Sequence, residues 1–259
     1  MKINPSDASK TKKKQLRVRK KERTKMFILD AAEEFYSKKP MTEVSLDDIA
    51  EVVFVSRTTI YNYFKNKDDV FFAIGSRVFK HLNETIVTNL PAELTGKEQV
   101  LFLCKKTFKD GKDNPIILKI TREFYDRIKI MNLSDEDIFN DLAKKLGPST
   151  LNNLIEDSDS CIDVDLEKLF DEPNFGDFFI QLLRNGNLWL RAIKKGKKDK
   201  TIRNELPDIQ IVLYMTMLMN GLLDEMSLRQ ANQDRMGIKR DTVITNTLNL
   251  LSVFLDSNV

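Results

Sequence analysis

Between Val55 and Phe64 the chain reads VSRTTIYNYF. As a helix this stretch has two strongly apolar side chains on one side, Ile60 and Phe64. Its remaining surface shows Arg57, Thr58, Thr59, Tyr61, Asn62 and Tyr63. None of these is an acid, in a chain that holds 39 Asp and Glu. Such a face suits an anionic partner. Arg57 can donate two hydrogen bonds to guanine or clamp a phosphate. Asn62 can form a bidentate pair with adenine, and Thr58 offers a methyl and a hydroxyl to base edges. Tyr61, Tyr63 and the Thr59 hydroxyl suit phosphate oxygens, which fix register without reading sequence. At 100° per residue, Thr58 and Asn62 point away from the Ile60 side. Thr59 and Tyr61 flank them, and Arg57 sits in the first turn.

Short helices must hold this face. Ile28, Leu29, Ala32, Phe35 and Tyr36 recur at helical spacing and predict a first helix from about Arg19 to Ser37. Ser45-Leu46-Asp47-Asp48 has the form of a capping box, which starts a second helix with Leu46, Ile49, Ala50 and Val53 inward. Ser45 is also placed among the DNA-facing residues. Ser56 caps the third helix, which is expected to run to about Phe64. Asn66-Lys67-Asp68-Asp69 starts a fourth, through Val70, Phe71, Ile74, Val78 and Phe79. Lys67 adds a cation where free helix amides already favour an anion. Two short helices in tandem, the second polar outward, form a helix-turn-helix pattern whose second helix enters the major groove.

At this point the chain resembles the TetR family of bacterial transcriptional regulators. The resemblance rests on ILDAAEEFY at 28–36 and SLDDIAEVVFVSRTTIYNYFKNKDDVFFAI at 45–74. It implies an all-α fold: a three-helix DNA-binding domain, then a larger helical domain that dimerises through a four-helix bundle. It also implies a palindromic operator and phosphate contacts at Tyr61 and Lys67. Base reading would fall to Arg57, Thr58 and Asn62, with Tyr63 at the margin. The likeness extends to 190–223, while 132–174 match nothing assignable. Phe54 departs from the pattern, standing where helix-turn-helix turns favour Gly. If φ is positive there, a bulky residue costs about 1 kcal/mol or more. Either the turn is remodelled, or Phe54 gains packing against the first helix.

Beyond residue 96 the chain keeps helical period, with strand signals nearly absent. Helices are expected at 97–110, 115–131, 135–146, 175–195, 207–228 and 242–255. Lys194-Lys195-Gly196 reads as a helix C-terminus, since cations and then Gly favour that end. The 207–228 segment is apolar nearly all round and must be covered on several sides. From the resemblance, a ligand site for a small apolar or amphipathic molecule is expected among Phe102, Phe124, Tyr125, Phe179, Trp189, Tyr214 and Met215.

Charge and composition bound the rest. The chain has 259 residues, 41% hydrophobic and 31% charged, with net charge +3. Residues 1–25 hold eleven cations against Asp7 and Glu22, a net +9, which leaves −6 for the remainder. Residues 1–18 thus read as a basic, flexible arm able to gain affinity from phosphates by counterion release. Residues 19–66 form the DNA-binding domain and 67–259 the sensing and dimerising domain. No export signal or membrane span is read, and two cysteines suit a reducing, cytoplasmic setting. A single His81 argues against His-based metal sites and triads. The acids Asp157, Asp159, Asp163, Asp165 and Glu167 fail the EF-hand spacing, with Ile162 at the Gly position and Lys168 at the Glu position. Cys161 among them is not expected to be a redox sensor. Lys194, Lys195, Lys197, Lys198 and Lys200 read as helix termination plus solvation. No catalytic residue, metal site or cofactor is expected. The reading is a DNA-binding regulator, a ligand-responsive repressor acting as a homodimer on duplex DNA. The alternatives are a regulator with no small-molecule effector, controlled by a protein partner or organising DNA, and a metal-dependent helical enzyme using the acidic segment.

Overall fold

The computed structural model describes residues 5–130, 173–228 and 235–257, with positions 140, 144, 147 and 149 between them. The helix expected at 135–146 lies largely outside the described residues, and the acidic stretch with Cys161 lies wholly outside them. The described chain is all-helical: α1 (Pro5–Lys38), α2 (Leu46–Val52), α3 (Arg57–Tyr61), α4 (Lys67–Asn89), α5 (Gly96–Asp113), α6 (Ile116–Ile130), α7 (Pro173–Lys198), α8 (Asp208–Leu228) and α9 (Arg240–Asp256). A single 3₁₀ turn, Met41–Glu43, precedes α2. No described helix is long and apolar enough to cross a membrane.

The chain divides into two compact units, Met1–Ile74 and Gly75–Val259. The division falls inside α4, eight residues beyond the boundary expected after Asn66. The physical reason is that the start of α4 belongs to the first core. Val70, Phe71 and Ile74 are buried, the Phe71 ring meets Tyr36 edge-on, and the Tyr36 hydroxyl donates to the Lys67 carbonyl. Ile28, Ala32, Ile49, Ile60 and Phe64 complete that core.

The first helix is longer than its apolar period predicts, beginning at Pro5 instead of near Arg19. Apolar periodicity reports burial, and residues 15–23 are exposed, so it could not register this part. Lys, Arg and Gln are good helix formers, no Gly or Pro interrupts them, and Pro suits the first helical position.

In the second unit α5 packs against α6, α7, α8 and α9. Val100, Leu103, Cys104 and Phe108 of α5 meet Trp189, Ala192 and Ile193 of α7, Met215 and Met219 of α8, and Leu251 and Leu255 of α9. Burial pushes the Cys104 thiol up to about 12, so it stays protonated. A buried amide network joins α4 to α7: Asn83 donates to the Gln181 carbonyl at 2.9 Å, and Asn185 donates to Asn83 Oδ1 at 2.9 Å.

Gly196 does not end α7, which runs on to Lys198. A side chain at Gly196 would meet Ile202 at 2.4 Å, and one at Gly96 would meet the Gly196 nitrogen at 1.8 Å. The two glycines let the start of α5 touch the end of α7. The actual stop is a Schellman turn with Lys200 in the left-handed region (φ 62°). In it the Lys200 and Thr201 amides donate to the Lys197 and Gly196 carbonyls. Nor are all the nearby lysines merely solvated. Lys195 donates to the carbonyls of Ala92 and Leu94, and Lys197 donates to Leu206 O and pairs with Asp208 at 2.8 Å. Lys194, Lys198 and Lys200 are exposed, as expected.

Because the obstruction at Gly96 is backbone, Gly96→Ala should destabilise the second unit by about 3 kcal/mol, the upper range of overpacking costs. For a unit of this size that is a fall in Tm of roughly 6–12 °C, read from a thermal melt followed by circular dichroism. An unchanged Tm would mean that the crossing has room to spare.

Candidate nucleic-acid interface

Helices of seven and five residues cannot stand alone, so their exposed ends need partners. The first turn of α2 is closed by the predicted capping box. Ser45 Oγ accepts from the Asp48 amide at 3.1 Å, and the Ser45 amide donates to Asp48 Oδ2 at 3.0 Å. The hydrogen bonds from the Ser45 hydroxyl and amide hold the Asp48 carboxyl below its usual range. Ser56 caps α3 by accepting from the Thr59 amide at 3.1 Å. Asn66 caps α4 by accepting from the Asp69 amide at 2.8 Å, while Asp69 accepts from the Lys65 amide at 3.0 Å.

The turn between α2 and α3 is a complete Schellman motif. The Phe54 amide donates to Glu51 O at 3.2 Å and the Val55 amide to Ala50 O at 3.0 Å. Phe54 takes the left-handed seat with φ 55°. Of the two expectations for Phe54, packing against the first helix is not met, because its side chain is 96% exposed. The backbone adopts the conformation a glycine would, and nothing in the unit covers the ring.

α3 proper covers Arg57–Tyr61 and is shorter than the expected run to Phe64. Helical bonding continues irregularly beyond it. Asn62 donates to both Thr58 and Thr59 carbonyls, and the Tyr63 and Phe64 amides both donate to Ile60. Ile60 and Phe64 are buried as predicted.

Arg57, Thr58, Tyr61 and Asn62 stand together exposed on the outer surface of α3 and its last turn. Thr59 and Tyr63 are half-buried. The Thr59 hydroxyl is already bonded to Ser56 Oγ at 2.8 Å, and the Ser45 hydroxyl to Asp48 at 2.7 Å. Both hydroxyls therefore serve the caps in the free chain. Tyr61 also lines a cleft of about 480 Å³ with Ser45, Leu46, Lys65, Asn66 and Lys67. Glu43 lines the cleft as well, so the amide end of α2 and the two lysines face one carboxylate there and leave a net positive lining for an anionic oxygen.

Three participants were not identified from the sequence. Lys65 and Asn66 join the cleft because the chain turns back between α3 and α4. Asp47 of α2 pairs with the Arg57 guanidinium at 3.2 Å, and Arg57 lies 5.8 Å from the centre of the Tyr61 ring. The pair is solvent-exposed, so water screens it and it adds little to stability. Its consequence is orientation: Arg57 is drawn along the surface toward α2 and Tyr61.

The residues proposed for a ligand separate into groups. Phe124 and Phe179 are buried in an aromatic cluster with Phe175 and Phe178, where the Phe124 and Phe178 rings meet edge-on at 5.1 Å. Trp189 and Met215 belong instead to the core centred on α5. Phe102 is half-buried. Tyr125 and Tyr214 are each 50% exposed, Tyr125 beside Phe124 and Tyr214 edge-on to Phe254. His81 is exposed, and among the described residues no group of His, Cys, Asp and Glu could hold a metal ion.

Phe54→Gly should raise the stability of the first unit by about 1 kcal/mol. Gly tolerates positive φ without the side-chain penalty, and the exposed ring has no packing to lose. Urea unfolding checks this: a lower midpoint would mean the ring makes a stabilising contact.

Residues 28–74 match the family model described as bacterial regulatory proteins, tetR family. Over 90 residues the chain is 27% identical to two uncharacterized HTH-type transcriptional regulators of Mycobacterium tuberculosis, MT1294 and Rv1255c. The match covers 35% of this chain and 45% of each relative. The chain thus spans about half the length of the curated relatives it matches. Three solved structures share its fold. A tetR-family regulatory protein from Rhodococcus RHA1 has TM-score 0.56 at 12% identity, covering 91% of this chain and 98% of that one. The regulator FadR from Bacillus subtilis, solved with stearoyl-CoA, has TM-score 0.54 at 16% identity, covering 90% and 98%. The fatty acid degradation regulator FadR from Bacillus halodurans has TM-score 0.56 at 15% identity, covering 89% and 93%.

Proposed function

We propose that this chain, a tetR-family protein by its residues 28–74, is a DNA-binding transcriptional regulator that reads an operator through α3. The observation that carries this is the exposed set Arg57, Thr58, Tyr61 and Asn62 on a capped α3, beside a cleft with Lys65 and Lys67. Arg57, Thr58 and Asn62 read base edges, with Tyr63 at the margin. Tyr61 and Lys67 hold phosphate, while Ser45 and Thr59 act mainly by fixing the helix starts. A duplex selected by the protein from a random pool tests this division. Asn62→Ala should cost about 1–3 kcal/mol on the selected duplex and little on random DNA. Lys67→Ala and Tyr61→Phe should weaken both alike. Equal losses on both duplexes for Asn62→Ala would remove the base-reading role.

The regulator acts as a homodimer, two α3 helices meeting successive major grooves about 34–36 Å apart. Support comes from α8 and α9. The expectation that α8 is covered on several sides is not met within one chain. Ile211, Met215, Met219 and Leu223 are buried, yet Leu213 is 51% and Met217 63% exposed. On α9, Leu250 and Val253 are each 67% exposed. An apolar face of this kind suits a second copy, self-complementary about a twofold axis. Leu213→Glu with Met217→Glu should give a monomer by sedimentation and lose the added affinity of a two-site palindrome over a half-site. A variant that stays dimeric would place the interface elsewhere.

A small apolar or amphipathic ligand sensed by the second unit shifts the dimer away from the operator-matching conformation, which makes the protein a repressor in the cytoplasm. The fold shared with the stearoyl-CoA-bound FadR supports this, as does the aromatic cluster around Phe124. Stearoyl-CoA is the first probe. At a hundred times its dissociation constant it should stabilise the protein by about 2.7 kcal/mol and release it from the selected duplex. No shift in Tm and no release would exclude long-chain acyl-CoA as the effector.

A further inference from the structure

We infer that the outer part of α1 is a rigid cationic ridge that binds duplex DNA beside the segment read by α3. Lys13, Arg17, Lys20 and Lys21 are exposed, and Lys25 is half-buried with its Nζ 5.6 Å from the centre of the Phe64 ring. Relative to Ile28, these five sit 15, 11, 8, 7 and 3 residues upstream. At 100° per residue all fall within about 80° of the Ile28 direction. The face of α1 that is apolar and buried at Ile28 and Ala32 therefore continues outward as a cationic one.

Among the described side chains between Lys13 and Lys25, the other charges fall elsewhere. Arg19 lies on the opposite side of the helix, and Arg23 is turned far from Ile28, with its guanidinium 5.4 Å from the Phe27 ring centre. Glu22 is also off the ridge. A face that merely solvates the helix would have no reason to collect cations on one side and exclude the acid.

The inner end of the ridge is fixed. Lys25 touches Phe64, whose amide bonds back to Ile60 in the turn that follows α3. The ridge is thus continuous with the first unit at the end of the proposed recognition segment. From Lys13 to Lys25 it spans roughly 18 Å at 1.5 Å per residue. Duplex DNA presents about one negative charge per 1.7 Å of axis, so a stretch as long as this ridge offers roughly ten phosphates, enough to pair every one of its cations.

The inference rests on the duplex-binding reading above and adds a register that a plain polycationic arm lacks. Two variants of equal charge separate them: Arg17→Gln with Lys21→Gln on the ridge, and Arg19→Gln with Arg23→Gln off it. Binding is measured against salt on the selected duplex carrying native-length flanks. The ridge pair should reduce the log–log salt slope by about 1.8, two phosphate contacts at 0.9 each, and the off-ridge pair by less than half of that. On a duplex trimmed of its flanks the difference should vanish. Equal slope losses for the two pairs would overturn the ridge while leaving α3 recognition intact. Wild-type protein that shows no salt-dependent binding to any duplex would overturn both.

Discussion

Two helices of seven and five residues carry the proposed interface, and neither can supply its own stability. Their backbone ends must be satisfied within a few residues of chain. Ser45 with Asp48, Ser56, and the paired Asn66 and Asp69 close the three amino ends, while the Phe54 turn closes the carbonyl end of α2. Once those groups are bonded, Ile60 and Phe64 can be buried and the opposite side of α3 is left outward. The caps also consume hydroxyls that would otherwise look available to a phosphate. Ser45 and Thr59 have the chemistry of contact residues, yet they spend it inside the protein.

Phe54 shows how strongly this constraint acts. A Schellman turn needs one residue at positive φ, and the chain places a phenylalanine there with its ring in solvent. The hydrogen bonds of the turn hold the backbone where the side chain would not choose to go. In the second unit the same motif recurs with Lys200, so Gly196 is released for a different task. There the absence of a side chain lets α5 and α7 meet at backbone distance.

The second unit combines a tightly interlocked interior with an incompletely covered outer face. Its core joins α5 to α7, α8 and α9, reinforced by Asn83 and by the lysines that tie down the loops after α4 and α7. Against this, Leu213, Met217, Leu250 and Val253 remain in contact with water. Burial on one side and exposure on the other is the arrangement that the proposed dimer would need.

The sequence by itself determined what depends on near neighbours along the chain. Helical class, the Ser45 and Ser56 caps, the burial of Ile60 and Phe64, and the outward set Arg57, Thr58 and Asn62 all follow from spacing within one or two turns. Helix ends were less legible, because α1 extends through exposed residues that leave no apolar period. What only the tertiary structure decided are relations between residues distant in sequence or across a turn. These include the pairing of Asp47 with Arg57, the cleft joining Lys65 to the start of α2, and the seating of Lys25 on Phe64. The contact of Gly96 with Gly196 and the split of the aromatic residues into separate clusters are of the same kind. Local periodicity fixes which way a side chain points from its own helix, but what it meets there depends on how the other helices pack.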